Sequence, residues 1–482
     1  MRTILFFDDW AILTRQGIDR RWFTAEPWPN LAPWHDPLVA LSSVASVIRD
    51  KASGRWRMWG SGITSLDKGD EGFCMCAYES DDGFNWRPLP QDPLADPRAT
   101  PKAAHIVFSG EFAAAGPAVF LDEAEPDPER RFKFVYSDLS KNPVDSSYGA
   151  CRVATSPDGI HWTIDRQAVW RRQHTDTWFS IVHNPYTKKY QWTGRPILGD
   201  RRVSLDQTTD WRTFERPLVI LHPDPMDSPG VEFYGMPHFF YEGYFLGFLW
   251  RMLGAPNDLK GSTRFFGPVD SELVYSINGI SWNRTNRQSF LPDRGLGKEG
   301  YRCEYPQCLM LDEEGWLRVY TASRVGEHVD WKKAAPGENI TFNTVLRFRR
   351  DGFCALETHS DTGTVLTRGL LARKGPILLN AVTGRFGSIR AELRTFDNTA
   401  IPGFELDKCV PVTGDGHFLP LRWNSGGQVR DSLDSLGGKK PFRLFLELEQ
   451  ARLYAVRVDV DLAYGFVPES NLAGDYLPNK CL

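Results

Sequence analysis

Acidic residues with aromatic neighbours stand at the start of several short strand-like stretches. Asp176, Glu232 and Glu304 are the three that could do chemistry there. Glycoside hydrolysis needs one carboxyl group to protonate the leaving oxygen and a second to act as nucleophile or base. Because apolar neighbours raise the pKa of a carboxyl group, Tyr305 and Pro306 favour Glu304 as the proton donor. Asp176 is then the predicted nucleophile or base, with Glu232 as a further catalytic candidate.

Six other polar residues near the strand starts are predicted to bind the substrate. They are Asp9, Asp36, His105, Arg302, Tyr234 and His238. Aromatic faces stack on sugar rings, and a guanidinium group holds a hydroxyl or a carboxylate. Four of them also have a structural interpretation: Arg302 suits an ion pair, His105 and His238 suit hydrogen-bonded walls, and Asp9 suits an exposed edge strand.

The sequence contains no motif for nucleotide binding, for a serine hydrolase or for a structural zinc site. The chain has no phosphate-binding glycine loop of the Rossmann or P-loop type and no Gly-x-Ser-x-Gly elbow. The eight cysteines are scattered and lack the paired spacings of a structural zinc site. We therefore predict no cofactor and no metal, and buried cysteines without disulfides.

A repeated turn indicates the elements that must position these residues. The pattern is Ser-x-Asp-Gly-x-x-Trp with variations, at Ser80–Trp86, Ser156–Trp162, Ser204–Trp211 and Ser276–Trp282, and in a shorter form at Arg349–Phe353. Asp-Gly and Asn-Gly favour the positive φ angles of a type I′ hairpin turn. Five such units, about 50–75 residues apart, predict a five-bladed β-propeller. Its inner strands begin near the central axis, so side chains at their starts converge on one pocket.

The rhythm changes after residue 360. Residues 361–482 contain strands that alternate with period two but lack the turn-plus-Trp repeat. We predict an all-β chain with a catalytic propeller over 1–360 and a β-sandwich with a C-terminal tail over 361–482.

The propeller region resembles the five-bladed superfamily that includes glycoside hydrolase families 32 and 43. In particular it resembles bacterial proteins described as glycosyl hydrolase family 32 N-terminal-domain-like. The resemblance rests on the repeated turns and on three segments, Phe7–Trp10, Trp56–Trp59 and Glu232–Pro237. The segments Trp-Met-Asn-Asp-Pro-Asn-Gly, Arg-Asp-Pro and Glu-Cys-Pro of family 32 are absent in that form, so the resemblance assigns neither nucleophile nor acid.

Composition limits the partners. The 482 residues carry a net charge of −4, which gives no general attraction for nucleic acid. No apolar run reaches the ~18 residues of a membrane-spanning helix. The first apolar run ends at Asp8, too early for a secretory signal, so we expect a cytoplasmic protein. The expected partner is a small carbohydrate, and a homo-oligomer remains open.

These observations predict an exo-acting glycoside hydrolase for a small oligosaccharide or glycoside, a furanoside being one option. Two alternatives stay open. One is a propeller that binds carbohydrate or serves as a scaffold without catalysis, for which the acids would be locked in ion pairs. The other is a lyase or isomerase for a sugar acid, for which histidine and tyrosine would cluster with a single acid.

Overall fold

The computed structural model of the chain is almost entirely β-structure. It describes residues 1–39, 41–51, 53–64, 71–89, 93–138, 150–171, 175, 177–196, 201–254, 267–328, 341–359, 361–436 and 441–463. The chain divides into two compact units, Thr24–Phe348 and a second unit that joins Met1–Phe23 to Arg349–Leu482. Short 3₁₀ turns occur at Pro128–Arg130, Leu406–Lys408 and Leu433–Leu436. Within these described ranges, no helix has the length and apolar character needed to cross a membrane.

The unit Thr24–Phe348 is a five-bladed β-propeller, which confirms the predicted fold. Most of its strands pair with their neighbours in the sequence. From the innermost strand outwards, blade 1 contains Leu41–Arg49, Trp56–Ile63, Phe73–Ser80 and Arg87–Pro88, with Ile106–Phe108 added beside Phe73–Ser80. Blade 2 contains Ala114–Leu121, Phe132–Asp138, Cys151–Ser156 and Thr163–Arg171. Blade 3 contains Ile181–His183, Tyr190–Gly194, Val203–Thr208 and Leu218–Leu221.

Blades 4 and 5 each depart from the simple pattern. In blade 4 the inner strand is split into Val231–Gly235 and His238–Tyr241, followed by Tyr244–Leu253, Val269–Ser276 and Trp282–Ser289. Blade 5 contains Glu304–Leu311, Trp316–Arg324, Thr341–Arg349 and, as its outermost strand, Glu26–Pro27. The last strand comes from the N-terminal side of the unit, so the two chain ends of the propeller are tied together in one sheet.

The middle strands of the blades are buried on both faces because each blade is covered by its neighbours. Every residue of Phe132–Asp138 is buried, whereas most of the outer strand Thr163–Arg171 is exposed or half-buried. Side chains also join the blades directly. The indole N–H of Trp59 in blade 1 donates to the carbonyl oxygen of Gly159 in blade 2 at 2.7 Å.

In blades 1 to 4 the repeated turn joins the third and fourth strands, but its conformation differs from the prediction. The fifth predicted turn, Arg349–Phe353, instead leads from the third strand of blade 5 to Cys354–Thr358 of the second unit. In blade 1, Ser80 Oγ accepts hydrogen bonds from the N–H groups of Asp82 and Gly83 at 3.3 and 3.0 Å. Asp82 Oδ1 accepts from the N–H groups of Phe84 and Asn85, both at 2.8 Å. Of the turn residues, Gly83 alone has a positive φ, +77°. A type I′ turn needs two such residues, so that prediction was wrong.

The glycine of the turn is required by both conformation and space. Gly159 has φ +79°, and a Cβ atom there would lie 2.6 Å from Trp59 Cζ2 of the preceding blade. In blade 3, Trp211 takes this position with φ +61°. Thr208 Oγ1 there accepts from the N–H groups of Asp210 and Trp211, as Ser80 does in blade 1. The third repeat therefore starts four residues later than predicted from Ser204, because Thr and Trp replace Ser and Gly.

The second unit is also all-β and is built on two long strands, Leu370–Arg394 and Pro441–Leu462. They pair from Ala372 opposite Val460 to Arg394 opposite Arg443. Shorter strands complete it: Arg2–Leu5, Ile12–Gln16, Ile18–Trp22, Cys354–Thr358, Thr362–Thr367, Asp415–Pro420, Trp423–Ser425 and Gln428–Arg430.

The division between the units differs from the predicted 1–360 and 361–482. Strands Arg2–Leu5, Ile12–Gln16 and Ile18–Trp22 all pair with strands from the C-terminal part of the chain. The backbone N–H of Phe23 also donates to the carbonyl oxygen of Phe353 at 3.1 Å. Residues 1–23 and 349–360 therefore belong to the second unit. The predicted C-terminal tail lies mostly beyond residue 463, outside the described residues.

Candidate functional site

A narrow pocket, here called the axial pocket, lies among the first residues of the inner strands of the propeller. It has a volume of about 20 Å³, which is room for a water molecule or a group of similar size. Aromatic, polar and small residues line it: Ser43, Val44, Trp178, Tyr234, Trp250, Tyr305, Gln307, Ala322, Arg324 and His328. They come from blades 1, 4 and 5 and from the segment just before blade 3. Residues near the starts of inner strands from several blades therefore lie around one pocket, an arrangement predicted from the sequence.

His328 lies between two tyrosines of the axial pocket. The hydroxyl oxygen of Tyr305 is 2.5 Å from His328 Nδ1, and the hydroxyl oxygen of Tyr234 is 3.0 Å from Nε2. A neutral imidazole accepts at one nitrogen and donates at the other, so one tyrosine donates to the ring and the other accepts from it. Burial raises the pKa of Tyr305, which keeps its hydroxyl protonated near neutral pH. The three side chains can pass a proton along one hydrogen-bonded chain.

Arg324 completes this group, which we call the Tyr–His–Arg cluster (Tyr234, Tyr305, His328 and Arg324). Its Nη1 donates to the backbone carbonyl oxygen of His328 and lies 3.4 Å from His328 Nδ1. Its guanidinium carbon lies 5.4 Å from the centre of the Tyr305 ring. Trp250 packs edge-on against the same ring, with centroids 5.1 Å apart. Tyr305 is thus held on two sides, and the cluster has a fixed geometry.

The predicted residues Glu232 and Tyr234 lie together beside the pocket. Glu232 forms an ion pair with Arg201, and the Arg201 guanidinium carbon lies 5.4 Å from the centre of the Tyr234 ring. Arg195 lies over the same ring at 5.0 Å. The Glu232 side chain is 15% exposed to solvent. Glu232 is therefore two residues from the pocket residue Tyr234 and partly exposed to solvent, whereas the Glu304 side chain has no exposure.

Glu304 occupies a different environment. Its side chain has no exposure, and its Oε1 is 2.9 Å from Arg294 Nη2 and 3.4 Å from Thr344 Oγ1. Burial raises the pKa of Glu304, although the charge of Arg294 acts in the opposite direction. The next residue, Tyr305, lines the axial pocket, whereas Glu304 does not. Glu304 has the raised pKa that was predicted, but its carboxyl group faces Arg294.

Asp36 and His105 meet in the core of blade 1. Asp36 Oδ2 is 2.7 Å from His105 Nε2 and accepts from the Tyr78 hydroxyl at 2.7 Å. Burial raises the pKa of Asp36, but the hydrogen bonds from His105, the Leu38 N–H and Tyr78 leave it below its ordinary value. In the described part of the chain, one group of side chains has metal-ligand spacing: Asp36, Cys76 and His105, with ligand atoms within 4.8 Å of one another. A metal there would compete with hydrogen bonds that Asp36 already makes.

A larger cavity, here called the wide cavity, lies among the later residues of the same inner strands. Its volume is about 320 Å³, and all five blades contribute to its lining. The predicted residue His238 belongs to it. Burial lowers the pKa of His238 to about 3, so the ring is neutral at ordinary pH. Its backbone N–H donates to Ser180 Oγ at 2.6 Å, and its Nδ1 lies 3.2 Å from the same oxygen.

Of the three remaining predicted site residues, the two that the structure describes, Arg302 and Asp9, do not line the axial pocket. Arg302 is half-exposed and pairs with Glu327 at 3.0 Å. Asp9 belongs to the second unit, where it pairs with Arg15 and Arg20. Asp176 lies outside the described residues. The roles predicted for these residues remain predictions.

Sequence reasoning missed Arg324, His328 and Trp250, which come from second strands or follow them. A signal was available. First and second strands of a blade are antiparallel, so the end of the second lies beside the start of the first. Tyr305 pairs with Ala322, and Gly235 pairs with Trp250. Polar residues at the ends of second strands are therefore candidate site residues, as those at the starts of first strands are.

No family model and no curated protein matches the chain. Solved structures with a related fold do match. A glycosyl hydrolase from Bacteroides ovatus has a TM-score of 0.45 and 11% identity, covering 72% of this chain and 97% of its own. A thermostable family-43 glycoside hydrolase has a TM-score of 0.45 and 11% identity, covering 68% and 97%. An N-acetylgalactosamine deacetylase from F. plautii, in complex with blood group B trisaccharide, has a TM-score of 0.45 and 12% identity, covering 70% and 97%. No residue role is carried over from them.

Proposed function

We propose that the protein is a glycoside hydrolase that binds a small oligosaccharide or glycoside with one polar substituent of the sugar in the axial pocket. One observation carries this proposal: Trp178, Trp250 and the two tyrosines surround Arg324 and His328 where the inner strands begin. Mostly apolar walls with a few convergent polar groups are typical of small-ligand sites. Flat aromatic faces and a guanidinium group suit the faces and hydroxyls of a sugar ring.

The carboxyl pair for this reaction is proposed from the three predicted acids. Glu232 is the candidate nucleophile or base, because its carboxyl group lies beside the axial pocket, paired with Arg201, and is partly exposed to solvent. Glu304 remains the candidate acid predicted from the sequence, and its carboxyl group would have to turn away from Arg294, which it faces in the structure, to reach a substrate. Asp176, two residues before the pocket residue Trp178 in the chain, remains the alternative nucleophile or base.

The test is hydrolysis of a panel of aryl furanosides, aryl pyranosides and short oligosaccharides. We expect wild type to cleave at least one member and Glu232→Gln to lose about 10²-fold or more in kcat/KM. Glu26→Gln is the matched control, since Glu26 is also paired with an arginine, Arg347, but is exposed in the outermost strand of blade 5. Equal losses in both variants, or no loss in Glu232→Gln, would reject the placement of the site. Binding of a panel sugar without turnover would favour the non-catalytic alternative.

A second function, a lyase or isomerase acting on a sugar acid, is favoured by one specific feature. His328 has a tyrosine hydroxyl at each ring nitrogen, and none of the described residues that line the axial pocket is acidic. Histidine and tyrosine can together remove and return a proton beside a carboxylate. Such a lyase forms an unsaturated product that absorbs ultraviolet light. If oligouronates give that absorbance, and Tyr305→Phe abolishes it while Glu232→Gln does not, the hydrolase proposal is replaced.

A further inference from the structure

Arg324 differs from the other little-exposed arginines of the propeller. Five of these each form an ion pair: Arg171 with Asp206, Arg201 with Glu232, Arg251 with Asp270, Arg284 with Asp227 and Arg294 with Glu304. Arg324 is only 8% exposed. Across the described residues it has no carboxylate within ion-pair distance, and its guanidinium makes hydrogen bonds only with His328.

A buried guanidinium without a counter-charge is costly, because it loses hydration that neutral acceptors replace only in part. An anionic ligand group would supply the missing charge. The planar fork of arginine binds the two oxygens of a carboxylate in parallel. Arg324 uses Nη1 for His328, which leaves its other donor edge for such a group.

The surroundings of Arg324 suit a carboxylate. The axial pocket has room for a group about as large as one water molecule, which favours a flat carboxylate over the bulkier phosphate and sulfate. The Tyr234 and Tyr305 hydroxyls line the same pocket and can add a hydrogen bond. The acids that neighbour cluster residues in the chain are each engaged with another arginine, Glu232 with Arg201, Glu304 with Arg294 and Glu327 with Arg302, and so do not occupy this position.

We infer that the sugar bound at the axial pocket carries a carboxylate, as a uronic acid does, and that Arg324 binds this carboxylate. The inference rests on the proposed carbohydrate site and narrows its substrate class. It holds whether the bond is broken by hydrolysis or by elimination, because it concerns recognition. Arg324 is then a specificity residue, and the Trp178 and Trp250 rings face the remainder of the sugar.

The test is calorimetric binding of D-glucuronate, D-galacturonate and D-mannuronate, their methyl esters, and the neutral parent sugars to the full chain. We expect at least one uronate to bind about tenfold or more tightly than its own methyl ester and its neutral parent. Arg324→Gln should remove that preference, because it should lower the affinity for the uronate about tenfold or more beyond any change in the affinity for the neutral parent. Arg347→Gln, which also removes an arginine stacked on an aromatic ring, Trp316, should keep the preference.

The outcomes separate this inference from the proposed function. Neutral sugars that bind as tightly as uronates would overturn the inference and leave the carbohydrate site standing. A preference that survives Arg324→Gln would overturn the role of Arg324. If no sugar of either kind binds, both proposals fail. If Arg324→Gln does not fold, the affinities of wild type for each uronate and its methyl ester still test whether the site prefers a carboxylate, because that comparison needs no substitution.

Discussion

The two cavities on the axis of the propeller are built from the same five inner strands, yet they differ in chemistry. The axial pocket, at the early residues, holds about 20 Å³ and is lined by two tyrosines, a histidine and an arginine. The wide cavity, at the later residues, holds about 320 Å³. Its walls are mainly aliphatic side chains, with one neutral histidine and a rim of exposed charges such as the pair of Lys51 and Glu123.

The contrast bears on the proposed function, which places the site in the smaller of the two cavities. Catalysis and recognition need polar groups fixed relative to one another, and proteins place those groups where many elements converge. Among the described residues, the narrow end has a hydrogen-bonded group of two tyrosines, a histidine and an arginine, whereas the wide end has the Ser180–His238 pair. The wide end offers space, but its titratable residue His238 is held neutral by burial. We therefore assign the chemistry to the narrow end.

The largest expected effect comes from substituting one residue at each end. His328→Asn removes the ring that connects the two tyrosines, so we expect kcat/KM for the best substrate to fall about 10²-fold. Met310→Ala, in the wide cavity, should change it by less than about twofold. Steady-state kinetics measures both. A larger loss in Met310→Ala would reverse the assignment.

A second comparison concerns two ion pairs at the start of blade 5. Glu304→Ala leaves Arg294 buried without its partner, so we expect a loss of about 3–5 kcal/mol in the free energy of unfolding. Arg302→Ala breaks the half-exposed pair with Glu327 and should cost about 0–1 kcal/mol. Denaturant unfolding gives both values. Similar losses would mean that Glu304 is less buried than described.

The third expected effect separates close packing from backbone strain in the turns. Gly159→Ala meets a positive φ and also a Cβ atom 2.6 Å from Trp59 Cζ2, so we expect about 2–4 kcal/mol of destabilisation. Gly54→Ala is the control, since Gly54 has φ +72° but nothing within 4 Å of the added Cβ. It should cost about 1 kcal/mol. If the two variants lose the same free energy of unfolding, contact between the blades is not the reason that Gly159 is required.

A fourth expected effect is a pH dependence of stability that arises at the wide cavity. His238 has a folded-state pKa of about 3, below the ~6.5 of an unfolded chain. The unfolded state therefore binds the extra proton, and stability falls as pH drops from about 6.5 towards 3, by up to about 1.4 kcal/mol per pH unit. His238→Gln should reduce this slope in unfolding experiments across that range. An unchanged slope would show that His238 is not buried as a neutral ring.

Much of the propeller could be predicted because its repeat is local. A Ser, an Asp or Asn and a Gly within four residues mark the turns of blades 1, 2 and 4 in the sequence. The same turn in blade 3 was misplaced by four residues because Trp211 adopts the positive φ that glycine adopts elsewhere. The boundary of the second unit was missed because it depends on pairing between residues 1–23 and the C-terminal strands, which leaves no local pattern.

The site could be predicted only in part, and for a physical reason. Tyr234 and Glu232, which stand at the start of an inner strand, lie in and beside the axial pocket. Arg324 and His328 are at and after the end of a second strand, which antiparallel pairing brings to the same end of the blade. Burial divides neighbours further: Tyr305 faces the pocket, while Glu304, one residue earlier, faces Arg294. Sequence order alone does not show which of two adjacent side chains faces a cavity.

The most direct test of the assignment is a crystal structure of Glu232→Gln with the best-bound sugar from the panels. We predict the sugar ring against Trp178 or Trp250, with a polar substituent reaching the Tyr–His–Arg cluster. Sugar density in the wide cavity, with the axial pocket unchanged, would contradict the account.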